Sequence, residues 1–281
     1  LSGLLLGARQ NLSPVLKNNL QRSGTSHLIA LSGYNITIVA TAVLSLFLFL
    51  GFNRRSAFWF SVFIIILFVL MTGASASVVR AAIMGILLIL GQKLGRVYYP
   101  RNALFLAALI MIISNPRILR FDLAFQLSVM ATLGLIYFTP FFQKILKAEK
   151  ESFLNWRNNL STTLAAQLAV LPLLISGFGY FSPVAPVANI LIITLMPVTM
   201  FFGFLTVIFG LTFNLLGQFT AFLTYWFLKY EISVIDFFGG LKFASVSFGK
   251  LQELFTWLSM VLVVFLFVAA ARKKYGQSIK I

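Results

Sequence analysis

The sequence holds no cysteine, one histidine and only six acidic residues among 281. Each shortage excludes a class of chemistry. Without cysteine there is no disulfide framework, no thiolate metal site and no cysteine nucleophile. A lone His27 cannot build a histidine zinc site or a histidine proton relay. A serine–histidine dyad requires His27 to meet Ser75, Ser77 or Ser182, and no orienting acid is evident for it. No glycine-rich phosphate loop follows a strand. The sequence therefore reads as a non-enzyme with no cofactor and no metal. Charge is scarce too: 10% of residues are charged, against about 25% in an ordinary soluble domain.

What fills the sequence instead is apolar. Hydrophobic residues make up 60%, Phe alone occurs 31 times, and mean hydropathy is +0.97. A membrane-crossing helix needs about 20 apolar residues, with a workable range of about 17–25. Such runs cover 28–52, 57–71, 123–142, 163–178, 184–203, 204–228 and 254–271. Two shorter runs, 78–92 and 103–113, are parted by Lys93, Arg96, Pro100 and Arg101, and form either two tilted spans or a re-entrant hairpin. The expectation is an all-α, polytopic transmembrane helix bundle of about nine spans, with interfacial amphipathic helices and Pro-broken helices. Residues 1–26 are expected to be an interfacial amphipathic segment and 27–281 the transmembrane domain. In the former, Leu12, Val15, Leu16 and Leu20 oppose Lys17, Asn18 and Arg22, and Ser13-Pro14 gives a helix start signal. A second interfacial helix-turn-helix is expected over 229–250, broken at Gly239-Gly240, and a charged loop with a short solvated helix over 144–159.

Lys+Arg 22 against Asp+Glu 6 gives a net charge of +16. In a soluble protein that surplus points to nucleic acid; in a membrane protein it marks cytoplasmic loops. Placing Arg54, Arg55, Lys93, Arg96, Arg101, Lys144, Lys147, Lys150, Arg157, Arg272, Lys273, Lys274 and Lys280 on one side leaves eight basic residues for the other, and Arg80 within a span. The resulting topology has the N-terminus outside and the C-terminus inside. The chain opens on Leu1 with no basic leader, which reads as part of a longer protein.

Polar residues within apolar runs need partners or water. His27, Tyr34, Thr41 and Ser45 share a stripe of the first run, and Ser32 and Asn35 flank Gly33. Two readings stand: hydrogen bonding between closely packed helices, or a wet, partly unwound face along a path. Arg80, one turn after Ser77, costs about 2.5–3.5 kcal/mol at a span centre. It either snorkels, pairs with Asp122, which shares a face with Gln126, or stands as a fixed cation toward a phosphate backbone or an anionic solute. Pro172, Pro183, Pro186 and Pro197, with Gly177 and Gly179, predict broken helices. Such breaks either shape the bundle or mark a translocation path.

The run Gly24-Thr25-Ser26-His27-Leu28-Ile29-Ala30-Leu31-Ser32-Gly33 resembles the G-T-S-H-L-L-A-I-S-G motif of the ComEC-type competence proteins. Three further blocks agree in order and spacing: Ala76-Ser77-Val78-Val79-Arg80-Ala81-Ala82-Ile83-Met84, Phe125-Gln126-Leu127-Ser128, and Phe181-Ser182-Pro183-Val184-Ala185-Pro186-Val187-Ala188-Asn189. Tyr34-Asn35 departs from the S-G-L-H continuation common in the family. The resemblance implies a multi-pass channel in the bacterial cytoplasmic (inner) membrane, passing single-stranded DNA to the cytoplasm during natural transformation. On that reading His27, Ser32, Gly33, Asn35, Ser77 and Arg80 are path candidates, together with Asp122, Gln126 and Asn189. Arg117, Arg120, Lys229, Lys242 and Lys250 are candidates for an outer basic mouth, since strand binding takes cations and aromatic faces. A cytoplasmic helicase or strand-binding protein is the implied partner, besides the lipid bilayer. The family's oligonucleotide-binding and nuclease domains have no counterpart in this sequence. A secondary transporter for a small anionic solute is the alternative, and a pore-less membrane scaffold a third reading.

Overall fold

The structure, a computed structural model, describes residues 13–29, 36, 43–45, 47, 49–147 and 156–276. The first helix, α1 (Pro14–Arg22), starts at the predicted signal: the Ser13 hydroxyl accepts the Leu16 amide at 3.2 Å, and Pro14 takes a first-turn position where no donor is needed. A tight turn leads to α2 (Ser26–Ile29). Asn53 caps α3 (Arg54–Met71) through the Ser56 amide at 2.8 Å. Then follow α4 (Ala76–Lys93), α5 (Pro100–Ser114), the single turn α6 (Ile118–Phe121), α7 (Leu123–Ile145) and α8 (Trp156–Phe178). Beyond α8 come β1 (Tyr180–Phe181), α9 (Ala185–Ile193), α10 (Met196–Thr212) and α11 (Asn214–Gly240). The chain closes with β2 (Val246–Ser247), antiparallel to β1, and α12 (Gln252–Gly276).

The all-α bundle expected from the apolar runs is what forms. Four helices, α3, α4, α7 and α8, are long and apolar enough to cross a membrane. The pair α9 and α10, bent by 45° at their junction, makes a fifth if taken as one span. The outward side chains fit lipid as the solvent: Phe63 is 65% and Phe265 68% exposed, while Ser61, Ser161 and Thr199 are fully buried. The chain is an integral membrane protein.

The expected nine crossings are not reached among the described residues. The run 28–52 lies largely outside them, and α5, at 15 residues, is shorter than a span. The runs 184–203 and 204–228 do not meet at Gly203. Instead α10 continues through that residue, and the breaks fall at Thr194–Leu195 and at Phe213. Pro197 explains the first break, because proline sits comfortably only in the opening turn of a helix. The helix-turn-helix expected over 229–250 is also corrected: its first half is the end of α11, followed by β2 and a 3-10 turn at Gly249–Leu251. Glu231, Ile235 and Gly239 extend the buried stripe of Gly217, Thr220 and Thr224, so one helix runs through.

The helices alternate between two ends. Lys93 Nζ lies 4.3 Å from the Phe58 ring, which brings the end of α4 to the start of α3. Gln143 donates to Asn158 at 2.7 Å, joining the end of α7 to the start of α8. Arg80, early in α4, bonds Ser128, early in α7, so both helices start at the same end. Arg54, Arg55, Lys93, Arg96, Lys144 and Arg157 thus gather at one end of the bundle. The opposite end carries the β1–β2 ribbon, and Gln252 at the start of α12 donates there to the Ile175 and Ser176 carbonyls of α8.

Candidate functional site

The four sequence blocks meet in two pairs. The second meets the third: Arg80, buried on α4, donates through Nη1 to the Ser128 carbonyl on α7. That carbonyl also takes the Thr132 hydroxyl at 2.9 Å. Arg80 Nε and the Ser128 hydroxyl are both buried without a partner, leaving a donor and a hydroxyl unfilled beside one bond. The loop before α5 turns Tyr98 toward this charge: burial pushes the Tyr98 phenol up, and Arg80 pulls it back.

The first block meets the fourth. A methyl group on Gly24 would stand 2.5 Å from Ala185 Cβ and 3.0 Å from Ser182 Cβ, and Gly24 has φ +69°, so only glycine suits this contact. Ser23 and Thr25 are fully buried and share a hydrogen bond of 2.7 Å. Ser182 donates to the Ala244 carbonyl at 2.8 Å, tying the fourth block to the segment between α11 and β2. Its hydroxyl is therefore engaged in structure. Asn189, 1% exposed on α9, keeps Oδ1 without a partner.

Other candidates take local roles. Asp122 accepts the Phe125 amide at 3.1 Å as the cap of α7 and forms no ion pair with Arg80, because the Ser128 carbonyl lies within the guanidinium's reach instead. Gln126 donates to the Leu119 and Arg120 carbonyls at 2.8 and 3.2 Å, closing the α6 turn. Asp122, with Ser114 and Asn115, lies on the wall of an open cleft of about 330 Å³ between α4, α5 and α6. His27 sits on α2, three residues after Gly24, and Ser77 is half-buried one turn before Arg80. Ser32, Gly33 and Asn35 lie outside the described residues.

The five basic mouth residues are dispersed. Arg117 and Arg120 are exposed at α6, and Lys242 is exposed just past α11, beside Leu241, whose carbonyl takes the Arg22 guanidinium at 2.7 Å. Lys229 lies further along α11, its Nζ 4.9 Å from the Trp226 ring. The side chain of Lys250 lies outside the described residues. Among the described residues no three His, Asp or Glu side chains come together as a metal site.

Sequence reasoning missed one group. Glu231, 4% exposed on α11, shares a hydrogen bond of 2.7 Å with the Thr199 hydroxyl of α10, and Thr206 bonds Thr224 at 3.0 Å between the same helices. The helical spacing of Gly217, Thr220, Thr224 and Glu231 is the signal that places them on one face.

A family model described as Competence protein matches residues 4–274. ComE operon protein 3 of Bacillus subtilis (strain 168) is 28% identical over 190 residues, which make up 68% of this chain and 24% of that protein. The chain thus corresponds to about a quarter of this relative's length. No solved structure matches. The family match takes in all four blocks and both of their meeting points, and the chain belongs to the competence protein family.

Proposed function

We propose that the chain serves DNA uptake in natural transformation, as the transmembrane channel domain that passes single-stranded DNA across the bacterial cytoplasmic membrane. The observation that carries this reading is the family match over residues 4–274. The packing supports it: the sequence blocks converge on a buried, incompletely bonded cation and on a glycine contact next to a buried asparagine. Permeation needs polar contacts that are weak and repeated, and unfilled groups such as Arg80 Nε, the Ser128 hydroxyl and Asn189 Oδ1 are of that kind. The ends of the bundle support the orientation. The strongly basic end faces the cytoplasm, and the end with Arg117, Arg120 and Lys242 receives the strand. A cytoplasmic helicase or strand-binding protein supplies the pulling force.

The test is uptake of labelled DNA by cells whose only copy of the full protein carries Arg80→Leu. Ser128 O keeps its Thr132 partner in that variant, so membrane insertion persists and uptake is lost. Normal uptake would remove Arg80 from the path. For the channel itself, purified protein in a planar bilayer passes a current that added oligonucleotide blocks; a current indifferent to oligonucleotide, or none, overturns the channel reading.

A further inference from the structure

Glu231 is a buried carboxyl group that forms no ion pair with a cationic side chain among the described residues; the positive charge of the chain's amino end pulls its pKa down only weakly against burial. It is 4% exposed, on the stripe of α11 that faces α10, past the apolar run that ends at Leu228. Helices α9 and α10 carry no ionisable side chain at all. On α1, Lys17 is exposed and Arg22 donates to the Leu241 carbonyl. On α11 itself, Lys229 lies over Trp226, Tyr230 is exposed, and Asp236 takes the Asn19 amide at 2.9 Å. An unpaired buried carboxylate is costly, and such a group takes up a proton instead.

The hydrogen-bond count agrees. Thr199 Oγ1 lies 2.7 Å from Glu231 Oε1 and 3.2 Å from the Leu195 carbonyl, yet a threonine hydroxyl has one proton to give. Both bonds form at once only if Glu231 donates to Thr199 and Thr199 donates to Leu195. Burial pushes the Glu231 carboxyl up to about 7, against the pull of the Thr199 hydroxyl. Leu195 lies at the 45° bend between α9 and α10, so this chain of bonds ends on the bend. The far end of the hairpin is held separately, by Thr206 with Thr224 and by the close approach of Gly210 to Gly217.

We propose that Glu231 is a proton-binding site that latches α11 to the α9–α10 bend. With its proton, the carboxyl holds α10 at Thr199. When the proton leaves to water, the Thr199 hydroxyl turns from the Leu195 carbonyl to donate to the carboxylate. One hydrogen bond does not offset the cost of a buried charge, so water enters and the two helices part at that end while the Thr206–Thr224 end stays closed. The inference rests on this packing and is independent of what the protein transports.

The absence of native cysteine allows a clean test on the full chain in lipid nanodiscs. Spin labels on Val198→Cys and Ile232→Cys, both exposed positions, report the α10–α11 distance at the latched end. The distance shifts to longer values as pH rises, with a midpoint of about 7, and Glu231→Gln, which keeps a donor for Thr199, holds the short distance throughout. Infrared difference spectra between acid and alkaline samples show loss of a protonated carboxyl band that Glu231→Gln lacks. A distance that ignores pH, or one that still shifts in Glu231→Gln, overturns the latch. A carboxyl band unchanged by the substitution overturns the proton site.

Discussion

Gly134 leaves no side chain between α7 and α8: a methyl group there would stand 2.5 Å from both the Ala165 carbonyl oxygen and Ala169 Cβ. One of those is backbone, which cannot turn aside. Gly134→Ala is expected to destabilise the protein by about 1–3 kcal/mol, the usual cost of overpacking, read as a lower unfolding temperature in detergent. Gly210→Ala is the matched control, because a methyl group there meets nothing within 4 Å; it leaves stability equal or slightly raised through better helix propensity. Residue-level roles were only partly legible in the sequence. Arg80 stood out because a cation is expensive in an apolar run, but its partner was not readable. Asp122 was the obvious acid, yet the guanidinium found a backbone carbonyl, since a helix carbonyl has a second lone pair to offer without the cost of a second buried charge.

At the scale of elements, start signals read well and stops read poorly. Ser13-Pro14 opens α1 as its side chains dictate, while the Asn53 cap starts α3 three residues ahead of the expected run at 57. Gly203 looked like a boundary and is helix interior, and Pro172, expected to break a helix, lies within α8, whereas the break expected beside Pro197 does form, at Thr194–Leu195. The last turn of α8 shows how such an end is secured. Gln252, 76 and 77 residues away in sequence, donates to the Ser176 and Ile175 carbonyls. Gln252→Ala removes both bonds, each worth about 0.5–1.5 kcal/mol. Faster amide hydrogen exchange is therefore expected over 176–179 and in the paired segments β1 and β2, with exchange in α3 and α4 unchanged. A uniform increase across the chain would mean that the contact supports the whole bundle rather than this end.

At the scale of the whole molecule, the alternation of helix ends makes a topological prediction. Single cysteines introduced at Arg55, Arg96 and Lys144 belong to one end of the bundle, and those at Arg117 and Lys242 to the other. In right-side-out vesicles a membrane-impermeant maleimide is expected to label the second set and to reach the first only after permeabilisation. The reverse pattern would invert the proposed orientation, and mixed labelling within one set would break the alternation. The apolar runs and the basic residues between them determined that this chain lives in lipid, that it is helical, and how its positive charge divides among the loops. Those are properties of summed hydrophobicity and charge, which do not depend on which helix touches which. Only the tertiary structure decided that the four blocks meet two by two, that Arg80 bonds Ser128 rather than Asp122, and that Glu231 is buried against Thr199. Among equally apolar helices, partners are chosen by the fit of small residues and single hydrogen bonds, and that fit exists only once the backbones are in place.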